Sequence, residues 1–180
     1  MPIRIVSFNP NGLKTKGRVA SLLQEAKRLA VDVLLVQEHN LDHSCSSGVL
    51  SESSRLGYIA CVGYSNKGGS AIFVRAAAFE LDPRQPLDFS SYLEGRLTIA
   101  KVVSGKETLT FASMYVPVDS ARRGRFIERL RARKLLTRST IVGMDANCVL
   151  NPSVDVFYSS NSRSSYSNSH ASRLEHTLSG

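Results

Sequence analysis

The stretch Ile3-Arg4-Ile5-Val6-Ser7-Phe8-Asn9-Pro10-Asn11-Gly12 alternates as a strand does and then breaks on turn residues. Beyond it, Val19, Leu22, Leu23, Ala26 and Leu29 recur at helical spacing, which predicts an amphipathic helix from Arg18 to Ala30. Val31-Asp32-Val33-Leu34-Leu35-Val36 then reads as a short buried strand that ends at Gln37-Glu38. A strand–helix–strand unit of this kind places the chain in the mixed α/β class.

Outward from that unit the pattern turns strand-rich. A serine-rich stretch from Ser44 to Ser54 has room for a short helix. Strands are expected over Tyr58 to Gly63, Gly69 to Arg75, Leu97 to Val103 and Thr108 to Val116. A second amphipathic helix is expected from Ala121 to Leu136, with Phe126, Ile127, Leu130 and Leu135 facing inward and a densely basic opposite face. Thr140-Ile141-Val142-Gly143 is the last clear strand, and it delivers Asp145 and Asn147 into a loop. Ser159 to Ser169 is almost all Ser, Asn, Tyr and Arg, a composition that predicts a loop, and Ala171 to Leu178 has room for one or two helical turns. There is no tandem repeat.

The bulk properties bound the function. At 180 residues the chain is one domain's worth, enough for a single core. No apolar run approaches the ~20 residues that span a bilayer. Met1-Pro2-Ile3-Arg4 leads straight into a strand pattern, so no signal peptide is expected. Cys45, Cys61 and Cys148 are odd in number and lack metal-ligand spacing, which argues against a disulfide framework and for a reduced, intracellular setting, nucleus or cytoplasm. The formal charge of +8 suits a polyanionic partner.

Acidic and amide side chains at strand ends are the parts of a hard-cation site. Magnesium takes oxygen ligands, one or two of them carboxylates, with water and substrate phosphate completing the shell. Glu38 closes one buried strand, Asp145 closes another, and Asn9 and Asn11 follow a third. Simple solvation of a strand end is the competing reading.

The particular strings carry a resemblance. Ser7-Phe8-Asn9-Pro10-Asn11-Gly12-Leu13 resembles the opening motif of exonuclease III-like nucleases, and Val36-Gln37-Glu38 their metal-binding glutamate motif. Gly69-Ser70-Ala71-Ile72 and Glu94-Gly95-Arg96-Leu97 resemble the next two strand motifs, and Tyr115-Val116-Pro117 the tyrosine–proline motif. The segment from Val142 through Asp145 and Asn147 to Pro152 is similar to the "G-G-D-F-N-C-V-L-N-P" of endonucleases encoded by non-LTR retrotransposons. Met144 stands where many relatives have a second glycine, and Ala146 where an aromatic is common. The shared order of these motifs identifies the chain as resembling the endonuclease/exonuclease/phosphatase family.

The resemblance implies a deoxyribonuclease I-like α/β sandwich, two packed mixed sheets flanked by helices. The family's "R-I-D" strand and closing "S-D-H" motif are missing from the sequence, so the sandwich is expected to be incomplete at its C-terminal side. Residues 1–157 would form the partial domain and 158–180 a loop and the start of a continuation. Implied roles are Glu38 for the catalytic Mg2+ (Mn2+ the alternative) and Asn11 near a second metal position. Asn9 would orient the phosphate or the neighbouring carboxylate, Tyr115 would donate to the scissile phosphate, Asp145 would activate water, and Asn147 would contact phosphate oxygens. The basic helix offers Arg122, Arg123 and Arg125 to nucleic acid.

The implied activity of the complete domain is metal-dependent phosphodiester hydrolysis of the retrotransposon type, with DNA as partner, no membrane, and a reverse transcriptase domain downstream. Two alternatives stay open: a non-catalytic mobile-element remnant or binding module, and a phosphoesterase acting on another phosphate ester. Asp155 reads as a loop-fixing residue, His39 as a rim residue, and His170 and His176 as exposed.

Overall fold

The computed structural model describes residues 2–148 and 171–179. The expected Ser159–Ser169 loop, the boundary at 157/158, Asp155 and His170 lie outside the described residues. The chain divides into two compact units, Met1–Tyr115 with Ser139–Asp145, and Val116–Arg138 with Ala146–Gly180.

The first unit holds β1 (Ile5–Phe8), α1 (Arg18–Arg28), β2 (Val33–Gln37), α2 (Ser46–Arg55), β3 (Tyr58–Gly63), β4 (Ser70–Arg75), β5 (Asp88–Tyr92), β6 (Leu97–Ser104), β7 (Glu107–Tyr115) and β8 (Thr140–Asp145). They form two four-stranded mixed sheets, ordered β1-β2-β4-β3 and β5-β6-β7-β8. Among the described residues each sheet has a parallel pair at one edge, β1 with β2 and β7 with β8.

The strand β2 shows why the apolar run Val33–Val36 does not alternate: both of its faces are covered. Leu34 and Val36 join Val19, Leu23 and Ala26 of α1 and Phe73 of β4 in one core. Val33 and Leu35 point the other way, into a second core with Ile72, Val74, Ala100, Val102 and Phe111. That second core is the contact between the two sheets, and each fully buried aliphatic side chain in it contributes about 1.5–3 kcal/mol.

Polar side chains stitch the sheets together beneath the strand ends. Gln37 donates Nε2 to Ser113 Oγ at 3.1 Å, and Ser113 Oγ donates to the Val36 carbonyl at 2.7 Å. Ser7 Oγ donates to Gln37 Oε1 at 3.3 Å, and Ser70 and Thr98 pair their hydroxyls at 2.9 Å. Gln37, Ser70, Thr98 and Ser113 are buried, and such groups fix one arrangement because any slip would leave them unsatisfied. Gly143 lets β8 approach: a Cβ there would lie 2.7 Å from Leu35 Cδ1 and 2.8 Å from Ser7 Oγ.

In the second unit, α3 (Ser120–Arg133) starts at the Asp119 cap, whose side chain accepts from Arg122 N at 2.8 Å. A second helix, α4, spans Ala171–Ser179, with Ala171 and Leu174 buried.

Three of the differences from the sequence expectation have a physical reason in the structure. Strand β5 has no counterpart in it, because Asp88–Tyr92 is mostly exposed and, among the described residues, pairs with β6 alone. Helix α1 stops at Arg28, leaving Leu29 exposed beyond it. Helix α3 stops at Arg133 because Lys134 turns left-handed, with φ 45°, so Leu135 lies outside the helix and is only half-buried.

Candidate active site

The topology gathers the motif residues at one edge of the first unit. Because β1 and β2 run parallel, Asn9 and Glu38 leave the same end of their sheet. Because β7 and β8 run parallel with Tyr115 opposite Asp145, those two side chains are register partners at the end of the other. The antiparallel β4 begins at that edge too, with Ser70 opposite Gln37 and Gly69 accepting from Glu38 N at 2.9 Å.

Asn9 joins the two carboxylates. Its Nδ2 donates to Glu38 Oε2 at 2.9 Å and to Asp145 Oδ2 at 2.7 Å. Its orientation is set by Asn11, whose backbone N–H donates to Asn9 Oδ1 at 2.8 Å in an Asx turn. The opening Asn9-Pro10-Asn11-Gly12 turn is therefore a device for aiming one amide. A neutral amide satisfies hydrogen bonds but supplies no charge, whereas a bound cation would offset the repulsion of two carboxylates.

Glu38 itself adopts a left-handed backbone, φ 52°, uncommon for a residue with a side chain. It is held there by Glu38 N to Gly69 O, by Gly12 N to Glu38 O at 2.8 Å, and by Asn40 Nδ2 to the same carbonyl at 3.3 Å. A conformation over-determined in this way is characteristic of functional positions.

Gly68 and Gly69 build the wall beside it. A Cβ on Gly68 would meet the Tyr115 ring at 2.5 Å and the Arg96 guanidinium at 2.8 Å. The guanidinium carbon of Arg96 sits 5.2 Å from the Tyr115 ring centroid, within cation–π range. A Cβ on Gly69 would meet the His39 ring at 2.6 Å.

His39 is fully buried, not a rim residue. Its Nδ1 accepts from Leu41 N at 2.9 Å, and its Nε2 makes no hydrogen bond of ordinary geometry. Burial pushes its pKa down to about 4, only partly offset by the nearby Ser70 and Gly63 backbone, so the ring is neutral. Its apolar body anchors the loop that carries Glu38.

The remaining candidates sort differently. Asn11 is exposed and acts through its backbone on Asn9. In the second unit, Asn147 has φ 45° and donates Nδ2 to the Val116 carbonyl at 2.7 Å. Arg122 and Arg125 are exposed on α3, as a phosphate contact requires. Arg123 is corrected: it is buried, donates to the carbonyls of Asn147 and Val118, and holds that loop instead of facing nucleic acid. His176 is exposed, as expected.

Among the described residues no group of three or more His, Cys, Asp or Glu side chains converges on one point. The oxygen ligands on offer at Asn9 are the carboxylates of Glu38 and Asp145, and a site of that chemistry fits magnesium, which needs no more than one or two carboxylates from the protein.

By sequence, the chain matches no protein-family model and no curated protein. Solved structures do match. An AP endonuclease from Archaeoglobus fulgidus superposes with a TM-score of 0.64 at 24% identity, over 84% of this chain and 60% of its own. The endonuclease domain of TRAS1, a telomere-specific non-LTR retrotransposon, gives 0.60 at 18% identity, over 99% of this chain and 70% of its own. The fold is deoxyribonuclease I-like. The catalytic domain of Xenopus laevis APE2 shares this deoxyribonuclease I-like fold, with a TM-score of 0.56 at 20% identity, over 82% of this chain and 59% of its own. The chain thus spans 60%, 70% and 59% of the three.

Proposed function

We propose that this chain carries the core of a metal-dependent phosphodiester-hydrolysing site, a DNA endonuclease of the retrotransposon type. The observation that carries the reading is the single amide of Asn9 shared by Glu38 and Asp145. The activity is that of the whole domain, of which this chain contributes the segment with both carboxylates.

Glu38 would hold magnesium, or manganese in its place, with Asn11 beside a second metal position. The cation supplies charge stabilisation to the phosphoryl oxygens and leaving group, worth several kcal/mol of barrier. Asn9 keeps Asp145 aimed, and Asp145 takes the proton of the attacking water, a contribution of about 10²–10⁴-fold for a positioned base. Tyr115, fixed between Gly68 and Arg96, donates its hydroxyl to the scissile phosphate. The resemblance assigns Asn147 to the phosphate oxygens. A downstream reverse transcriptase domain and an intracellular setting belong to the same reading.

The test is nicking of supercoiled plasmid by the purified chain and by the chain extended through its downstream reading frame. Magnesium-dependent nicking that drops at least ~100-fold in both Glu38→Ala and Asp145→Ala supports the reading. Phosphate release from a small ester without nicking would move the assignment to another phosphoesterase. Neither activity in either form would sink the enzyme reading.

A further inference from the structure

Helix α3 carries six arginines and one glutamate among its 14 residues. The buried side is made by Arg123, Phe126, Ile127 and Leu130. Of the exposed arginines, Arg122, Arg125, Arg129 and Arg133 recur at helical spacing and fall within an arc of about 80° on one flank of the helix. Arg131 lies on the other flank, and Glu128 lies outside the stripe. The four run for about 16 Å along the axis, the rise of about five phosphates on one strand of a duplex.

Helix stability alone does not account for the placement. Cations favour the C-terminal turn, where they meet the negative end of the helix dipole, and Arg131 and Arg133 sit there. Arg122 and Arg125 occupy the first two turns, where the dipole is positive; the first turn itself holds no acidic residue, and the Asp119 cap before it is engaged by the Arg122 backbone N–H. Their positions oppose the helix dipole and set four cations along one exposed flank. Arginine also presents a planar fork suited to phosphate oxygens.

We propose that the Arg122–Arg125–Arg129–Arg133 flank of α3 is a docking surface for the phosphate backbone of duplex DNA. It binds without reading sequence, because phosphate contacts set position and register and carry no base information. The inference rests on the proposed DNA substrate.

The experiment measures binding of the full chain to a fluorescein-labelled duplex by anisotropy, in EDTA, across a range of KCl. Without metal there is no turnover, so a chain that binds here but fails to nick loses the nuclease reading and keeps this one. Each of Arg122→Gln, Arg125→Gln, Arg129→Gln and Arg133→Gln is expected to reduce the slope of log K against log salt by about 0.9. The Arg131→Gln control is expected to leave the slope unchanged, which removal of net charge alone would not do. Equal slopes for Arg131→Gln and the four stripe variants, or no change in any, would overturn the proposal. So would preferential binding to phosphatidylserine vesicles over the duplex. Circular dichroism of each single variant checks that α3 is intact.

Discussion

Asn9 donates its side-chain amide to Asp145 at 2.7 Å across 136 positions of sequence, and the same nitrogen donates to Glu38 at 2.9 Å. Two carboxylates gathered at one neutral amide concentrate negative charge that a divalent cation relieves. Saturating MgCl2 is therefore expected to raise the midpoint of thermal unfolding relative to EDTA. The stabilisation is about 2.7 kcal/mol when free cation stands at a hundred times its dissociation constant. The shift should vanish in Glu38→Ala and shrink in Asn9→Ala, where the aim of both carboxylates is lost. An equal shift in all three proteins would place the cation elsewhere.

Gly68 is expected to tolerate no side chain. Its φ of 83° disfavours any other residue, and a Cβ would collide with the Tyr115 ring and the Arg96 guanidinium together. The buried Tyr115 ring cannot retreat cheaply. Gly68→Ala should cost about 1–3 kcal/mol in urea unfolding, and nicking by the active form should fall with it. A neutral substitution would mean that the Tyr115–Arg96 stack is loose.

His39 gives a pH dependence whose sign is fixed by burial. Its pKa is about 4 when folded and near the ordinary 6.5 when unfolded, so the unfolded chain binds the proton more tightly. The contribution is fully present above pH ~6.5 and is lost as pH falls toward 4, on the order of 3 kcal/mol across that window. Urea midpoints measured through this range should fall on acidification in the wild type. The fall should be shallower in His39→Gln, and identical slopes in the two proteins would remove His39 from the account.

The sequence makes the strand ends legible because they combine two signals, an apolar run followed by turn residues, and both survive folding. Asn9, Glu38 and Asp145 fall at such ends, and the parallel pairing of β1 with β2 and of β7 with β8 then collects them. What pairs them is not legible. Nothing local to Asn9 states that its amide reaches Asp145; that depends on the close approach of β8 at Gly143 and on the hidden Gln37–Ser113 stitch. Strand β5 escapes a reading based on apolar alternation because an exposed edge strand need not bury either face. His39 and Arg123 escape it for the opposite reason. A polar residue type reads as exposed, and only the fold reveals that one fills a core and the other clamps a loop.

Arg123 separates holding from binding within one helix. Its neighbours Arg122 and Arg125 are exposed, whereas the Arg123 guanidinium is turned inward to the carbonyls of Val118 and Asn147, with Nε buried and without a hydrogen bond. Arg123→Met keeps most of the stem's bulk and removes the donors, orphaning carbonyls in a partly buried loop. The expected cost is about 1–3 kcal/mol of stability, read by urea unfolding. The salt dependence of duplex binding should stay at the wild-type slope, since a buried guanidinium releases no counterion from DNA. A slope reduced by about 0.9 with stability unchanged would reverse the assignment and return Arg123 to the phosphate-facing set.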